Sequence, residues 1–224
     1  PKNFSNEHDW APKHVLEGNT NRGIAKFFLL KLARNNLLRQ SSNKEKIIHT
    51  TSTPSVIMAQ QQTSKDWRKV PNILITGTPG SGKTLLSENL YNELTSKQIP
   101  YQVINVSEAA KTNGFVEKEK DVARDTYILD EDRLLDWMEL ELATDRNLGF
   151  IVDYHASELF PERWFDLVVV MHADPNVLAE RLSKRGYAQA KIQENVQCEI
   201  FNVCEDEARN SYDENIIRIY QNNT

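Results

Sequence analysis

The sequence predicts a three-layer α/β domain on a five-stranded parallel sheet, and three observations carry that expectation. Apolar runs at 73–76, 101–106, 150–153, 167–171 and 216–220 are short and continuous rather than alternating. Parallel strands covered on both faces have that pattern. Helical stretches separate the runs, at 85–96, 131–146, 175–184 and 189–212. Finally, the first run leads straight into Gly77-Thr78-Pro79-Gly80-Ser81-Gly82-Lys83-Thr84 and then into the helical pattern that starts at Leu85. A glycine-bearing loop between a strand and a helix is the context that the octapeptide needs to act as a phosphate-binding loop of the P-loop NTPase type.

Glycines let successive backbone N–H groups point inward around an anion without Cβ clashes. Gly80, Ser81, Gly82, Lys83 and Thr84 are therefore the candidate phosphate-binding residues. Lys83 reaches toward the β- and γ-phosphates, the Thr84 hydroxyl is a Mg²⁺ ligand, and the helix N-terminus adds its partial positive charge. Mg²⁺ with ATP is the expected cofactor pair.

Taken in order, residues 1–69 are a different kind of sequence, rich in Asn, Ser, Thr and Gln, and disorder is the expectation there. They carry 12 Lys/Arg against 5 Asp/Glu, whereas residues 70–224 carry 15 against 27. One stretch, 23–39, has helical potential, with Ile24, Phe27, Leu30 and Leu38 apolar and Lys26, Lys31, Arg34 and Arg39 basic. Three readings of it stay open: a basic targeting or membrane-surface helix, a partner-binding helix, or an extension unconnected to the domain. Glu7, Asp9 and Glu17, and the lack of a starting Met, oppose a clean presequence; Met58-Ala59 offers a natural start just ahead of the domain.

From Pro71 the chain alternates strand and helix, with residues 70–224 as the kinase-like domain. Asp174 is the expected N-cap of the helix over 175–184. Residues 189–212 are expected to form one long charged helix. Residues 105–132 are a polar, heavily charged insertion whose place suits a mobile acceptor-binding arm, and Asp130, Glu131 and Asp132 suit a helix start. Phe160-Pro161-Glu162-Arg163-Trp164-Phe165 is too aromatic for a plain linker and is read as a packing plug in preference to a protein-contact surface.

Phosphoryl transfer needs Mg²⁺ held in place, cations around the transferring group and water kept out. Asp153 ends an apolar run, which puts its carboxylate at a strand's C-terminal edge beside the loop, as a second Mg²⁺-organising group. His155, two residues on, is a candidate for orienting water or sensing the γ-phosphate. Arg181, Lys184 and Arg185 gather at the end of the helix over 175–184, where Arg185-Gly186-Tyr187 interrupts it. They are read as a short lid carrying guanidinium groups, with Arg181 and Arg185 as catalytic cations.

Composition excludes several classes. No stretch approaches the roughly 20 apolar residues of a membrane-spanning helix, and mean hydropathy is −0.58. The two cysteines, Cys198 and Cys204, suit neither a zinc site nor a disulfide framework and are read as buried, reduced thiols of an intracellular protein. An acidic domain with no nucleic-acid motif is not a generic polyanion binder. No Asn-Lys-x-Asp guanine-reading motif occurs, which disfavours a GTPase.

Six segments also carry a resemblance: 77–84, 128–133, 152–155, 160–165, 185–187 and 195–201. In order and spacing they are similar to those of the nuclear adenylate kinase-like ATPases, that is, adenylate kinase isoenzyme six, also called coilin-interacting nuclear ATPase. The likeness covers about residues 70–224. It implies a nucleoside monophosphate kinase-like fold, ATP:AMP phosphotransfer, a slow ATPase, and a role in small ribosomal subunit maturation through a ribosomal protein. It further implies a monomer found in nucleus and cytoplasm. By position, it implies that Gly80, Gly82, Lys83, Thr84 and Leu85 line the ATP phosphates with Arg185 closing from the lid, that residues from Asn105 to about Asp130 form the monophosphate arm, and that Lys184 to Glu194 form the lid. Three departures stand out: Lys111 where arginine is expected against the AMP phosphate, His172 where arginine is expected after the fourth strand, and an end at Thr224 that omits the family's last helix. A reading from another class stays open, an ATP-gated assembly factor that grips a ribosomal protein and for which kinase turnover is incidental.

Overall fold

The computed structural model describes residues 68–121 and 126–223. Five parallel strands form the central sheet: β1 (Ile73–Gly77), β2 (Tyr101–Asn105), β5 (Gly149–Asp153), β6 (Leu167–His172) and β7 (Ile217–Gln221), in the order β2-β5-β1-β6-β7. β1 is central, so the loop that follows it emerges at the middle of the sheet's C-terminal edge. The side chains alternate between two cores. Leu74, Val152, Val168 and Val170 face one side, whereas Ile73, Ile75, Ile151, Val169 and Met171 face the other. The second face is covered by α1 (Lys83–Ser96) through Leu86, Leu90 and Leu94. The first is covered by α2 (Val106–Thr112), α3 (Glu131–Leu142) and α6 (Val203–Ser211). Helices α4 (Pro175–Lys184) and α5 (Gln189–Ile200) pack on each other through Leu178, Leu182 and Ile192.

All five expected strands form, and the expected three layers with them. Their ends differ slightly: Val106 starts α2 rather than closing β2, and Ile216 lies in a short turn ahead of β7. The expected long helix over 189–212 is two helices. Asn202 between α5 and α6 takes a left-handed conformation, φ 54°, which breaks the run and turns the chain. The helix expected over 131–146 stops at Leu142, short of the turn-forming 143–148 segment. The polar insertion is not featureless: it holds α2 and an antiparallel hairpin, β3 (Val116–Asp121) with β4 (Thr126–Leu129). Its charge content concealed the strands, since only Phe115, Val116, Ile128 and Leu129 carry apolar signal near its ends.

Phe160, Trp164 and Phe165 are buried in the first core, so the aromatic segment is the packing plug expected of it. Asn72 ties that plug to the sheet. Its buried amide donates to Trp164 O (3.0 Å) and accepts from Phe150 N (3.0 Å), bridging β1, β5 and the segment before β6. Packing reaches back to Arg68, which is buried and bonded to Asp166 Oδ2 and Arg163 O. The stretch at 23–39 lies outside the described residues.

Replacing Asn72 with Ala strips a carbonyl and an N–H of their buried partner. Urea unfolding of Asn72→Ala is expected to show a loss of about 2–4 kcal/mol with an unchanged m-value.

Candidate active site

Three glycines with positive φ bend the backbone after β1: Gly77 (137°), Gly80 (94°) and Gly82 (106°). At two of these positions a side chain would run into a neighbour. A Cβ on Gly77 would lie 2.2 Å from Met171 O of the adjacent strand, and one on Gly82 would lie 2.3 Å from Asn222 Nδ2. Ser81 N donates to Thr78 O (3.1 Å), closing the turn, and the Ser81 hydroxyl is buried with no hydrogen-bond partner among the described residues. α1 then begins at Lys83 with Gly82 as N-cap, no capping side chain and no acidic residue in its first turn. Its first N–H groups and the positive end of its dipole are thus left for an anion.

Lys83 folds back onto this loop. Its Nζ donates to Gly77 O (2.7 Å) and Thr78 O (3.2 Å). Burial lowers its pKa, opposed mainly by the nearby Asp153 carboxylate. The Leu85 side chain points to solvent, 52% exposed, so only its backbone can serve a phosphate.

Thr84 and Asp153 come together as expected: Thr84 Oγ1 donates to Asp153 Oδ2 at 2.7 Å. The buried Asp153 carboxylate stands at the end of β5, paired in register with Asn105 at the end of β2. Asn105 Nδ2 donates to the same carboxylate oxygen (3.1 Å), while its Oδ1 accepts from Glu108 N (3.0 Å) as the N-cap of α2. One side chain therefore joins the start of α2 to the acid beside the loop. The sequence marked Asn105 only as the arm's first residue; its position opposite a strand-end aspartate required the sheet order.

A hard cation fits this donor set. A hydroxyl and a carboxylate on adjacent elements, beside an anion cradle, supply the few oxygen ligands that Mg²⁺ takes from protein when phosphates and water complete its shell. Among the described residues no group of three or more His, Cys, Asp or Glu forms a self-sufficient metal cluster.

His155 sits at the rim, exposed, its ring 4.5 Å from that of Tyr154. Enclosure by protein on one side, aided by Lys83, lowers its pKa, so it is neutral at physiological pH. Arg181 and Arg185 differ in role. Arg181 donates to Gly80 O (3.1 Å) and Asn222 O (3.1 Å), clamping the loop to the end of the chain after β7. Arg185 is exposed and contributes positive charge felt by both Lys83 and Arg181. The lid is short: α4 ends at Lys184 and α5 starts at Gln189. Lys184 itself pairs with Glu180 on the surface (2.6 Å), and Lys111 is exposed at the last turn of α2. Neither cysteine is fully buried, contrary to expectation: both are free and half-buried. Cys204 lies against Thr78 Oγ1 and His155 O because α6 runs under the loop.

Sequence reasoning missed Asn222 and the acids of α5 and α6. Asn222 Nδ2 donates to Ser81 O (2.8 Å) and its N–H to His172 O (2.8 Å). Glu199, buried, accepts a hydrogen bond from the Thr78 hydroxyl. A carboxylate at a buried position of an otherwise amphipathic helix was the available signal.

A parallel sheet with a phosphate loop leaving its central strand, an uncapped helix behind it and a strand-end acid define a P-loop protein of the nucleotide kinase class. A family model described as an AAA domain matches residues 73–202. Over 157 residues the chain is 42% identical to an adenylate kinase isoenzyme 6 homolog of Caenorhabditis elegans, covering 70% of this chain and 82% of that one. It is 46% identical over 156 residues to the Dictyostelium discoideum homolog, covering 67% and 81%. With the Saccharomyces cerevisiae homolog FAP7 it shares 43% identity over 154 residues, 69% and 74% of the two chains. The chain belongs to the adenylate kinase isoenzyme 6 family.

Glu207 of α6 hydrogen-bonds Glu158, and burial together with that acid pushes its pKa up to about 7. The folded state therefore holds a proton that the unfolded chain has released, between the ordinary carboxylate range and about neutral pH. Thermal stability is expected to fall as pH rises across that window, and Glu207→Gln is expected to flatten the fall in a melting series.

Proposed function

We propose that the chain is a Mg²⁺-dependent ATP:AMP phosphotransferase with a slow additional ATPase activity. The observation that carries the reading is the glycine-bent loop holding Lys83, with Thr84 and Asp153 hydrogen-bonded beside it. The names of the relatives support AMP as acceptor.

In this reading the loop N–H groups and the α1 N-terminus bind the ATP phosphates, and Lys83, held by the loop carbonyls, turns its remaining N–H to a phosphate oxygen. Thr84 and Asp153 would hold Mg²⁺, which would supply charge neutralisation for the transferring phosphoryl group. Arg185 is the mobile cation of the lid, since its side chain is exposed and near enough to Lys83 to be felt. Arg181 acts by fixing Gly80, with its guanidinium engaged by two carbonyls. Neutral His155 accepts a hydrogen bond from water or from the acceptor at the rim. Closing the arm on one side and the lid on the other excludes water from the transfer. Lys111 gives the arm a charge without the bidentate fork of arginine, so weak AMP binding goes with this assignment. The proposal extends to a monomer of nucleus and cytoplasm that binds a small-subunit ribosomal protein; support for that part is the family resemblance alone.

A coupled assay with ATP and each nucleoside monophosphate, run beside ATP alone, tests the acceptor. ADP formation is expected to rise several-fold with AMP; formation indifferent to AMP would overturn the kinase reading in favour of an ATP-gated binding protein. Lys83→Ala is expected to abolish turnover, with a loss of about 100-fold or more. Asn105→Ser keeps the α2 cap but cannot reach Asp153, whereas Asn105→Ala loses both bonds. Both are expected to raise the Mg²⁺ concentration for half-maximal rate, and the alanine alone to lower stability, by about 1 kcal/mol.

A further inference from the structure

His172 ends β6 beside the loop and has no part in the transfer scheme above. Its ring is engaged at both nitrogens: Nδ1 lies 2.9 Å from Glu199 Oε1 and Nε2 3.1 Å from Glu205 Oε2. Two carboxylates, each needing a donor, hold both ring protons in place, so the ring is an imidazolium. Glu199 is 5% exposed and fully used. Its Oε1 also accepts from Ala173 N (2.8 Å), and its Oε2 accepts the Thr78 hydroxyl. Thr78 in turn offers its carbonyl to Lys83 Nζ at 3.2 Å. A continuous line of bonds thus runs from α5 and α6, through one buried carboxylate, to the ammonium at the centre of the loop.

We propose that Glu199 and His172 are positioning residues for the phosphate loop: Glu199 fixes Thr78 and, through its carbonyl, Lys83, while the doubly bonded His172 ring holds Glu199 in place. The proposal rests on the reading that this loop binds nucleotide phosphates. It adds a proton dependence to that binding. Burial disfavours the His172 cation, but the hydrogen bond and charge of Glu199, together with those of Glu205, outweigh it and raise the pKa above the ordinary histidine value. Glu199 is held below the usual carboxylate range, its burial outweighed by His172, Thr78 and Ala173. The other charged or titratable groups facing this cluster are Lys83, Cys204 and Arg209. Lys83 feels Glu199; the Cys204 thiol is pushed up to about 11; Arg209 pairs with Glu205 Oε1 at 2.8 Å. Once the ring loses its proton, one nitrogen turns a lone pair toward a carboxylate and the tie to Thr78 loosens. ATP affinity therefore declines as pH rises through the raised His172 value. Arginine at this position would be a permanent cation and would remove that decline.

The test is a calorimetric titration of ATP in excess Mg²⁺ from about pH 6 to about pH 9, on the full chain and on His172→Arg, Glu199→Gln, Thr78→Val and Lys83→Ala, each checked by thermal melting. The full chain is expected to lose affinity on the alkaline side, and His172→Arg to hold its affinity across the range. Glu199→Gln and Thr78→Val, which weaken the same tie from its two ends, are expected to bind ATP about tenfold more weakly at neutral pH. In turnover they are expected to raise KM for ATP with a smaller change in kcat. Identical pH curves for the full chain and His172→Arg would overturn the proposal, as would wild-type affinity in folded Thr78→Val. Should Lys83→Ala keep wild-type affinity, the phosphate-loop reading itself falls and this proposal with it.

Discussion

A lysine ammonium partly withdrawn from water, beside a backbone that only glycine can bend, is the constraint that organises this structure. A buried cation is costly unless it is paired and hydrogen-bonded. Here Lys83 has two loop carbonyls, with the Asp153 carboxylate close enough to favour its charge. Those carbonyls belong to a loop that is itself held from three directions. Arg181 reaches Gly80 O from α4, Asn222 reaches Ser81 O from beyond β7, and Glu199 holds the Thr78 hydroxyl from α5. Parallel pairing of β1 with β6, and Gly77 packed against Met171 O, set the point at which the loop departs. Sites that act on developing charge gain most from dipoles already in position, since no reorganisation is then needed during reaction.

The two sides of the site are tethered differently. On the acceptor side a single amide, Asn105, connects Asp153 to α2, and the arm returns through Asp130 N to Phe115 O and Arg133 Nη1 to Gly114 O. The lid side is built on two packed helices with a core of their own, Leu178, Leu182 and Ile192, and is anchored by buried ionic contacts. Val106, Ala110 and Phe115 also pack that segment into the first core.

The sheet was legible in the sequence because buried parallel strands leave continuous apolar runs, and the loop because its glycine spacing falls between an apolar run and a helical pattern. Asp153 and Thr84 followed from those two facts. Other features were hidden for identifiable reasons. The α5–α6 break depends on one left-handed Asn202 inside a stretch with uniform helical composition. The β3–β4 hairpin is too charged to register as strands. Asn105, Glu199 and Asn222 act through partners 48, 121 and 141 residues away, and no local pattern announces a bond across that distance. Arg181 was legible as a cation near the site, but its use as a clamp on the backbone was not.

The central claim is that this loop grips the phosphates of a nucleoside triphosphate. Isothermal calorimetry of ATP with folded full-length chain, in the presence and absence of Mg²⁺, addresses it most directly. Saturable one-to-one binding that Mg²⁺ strengthens is expected. Folded protein that takes up no ATP under either condition would contradict it.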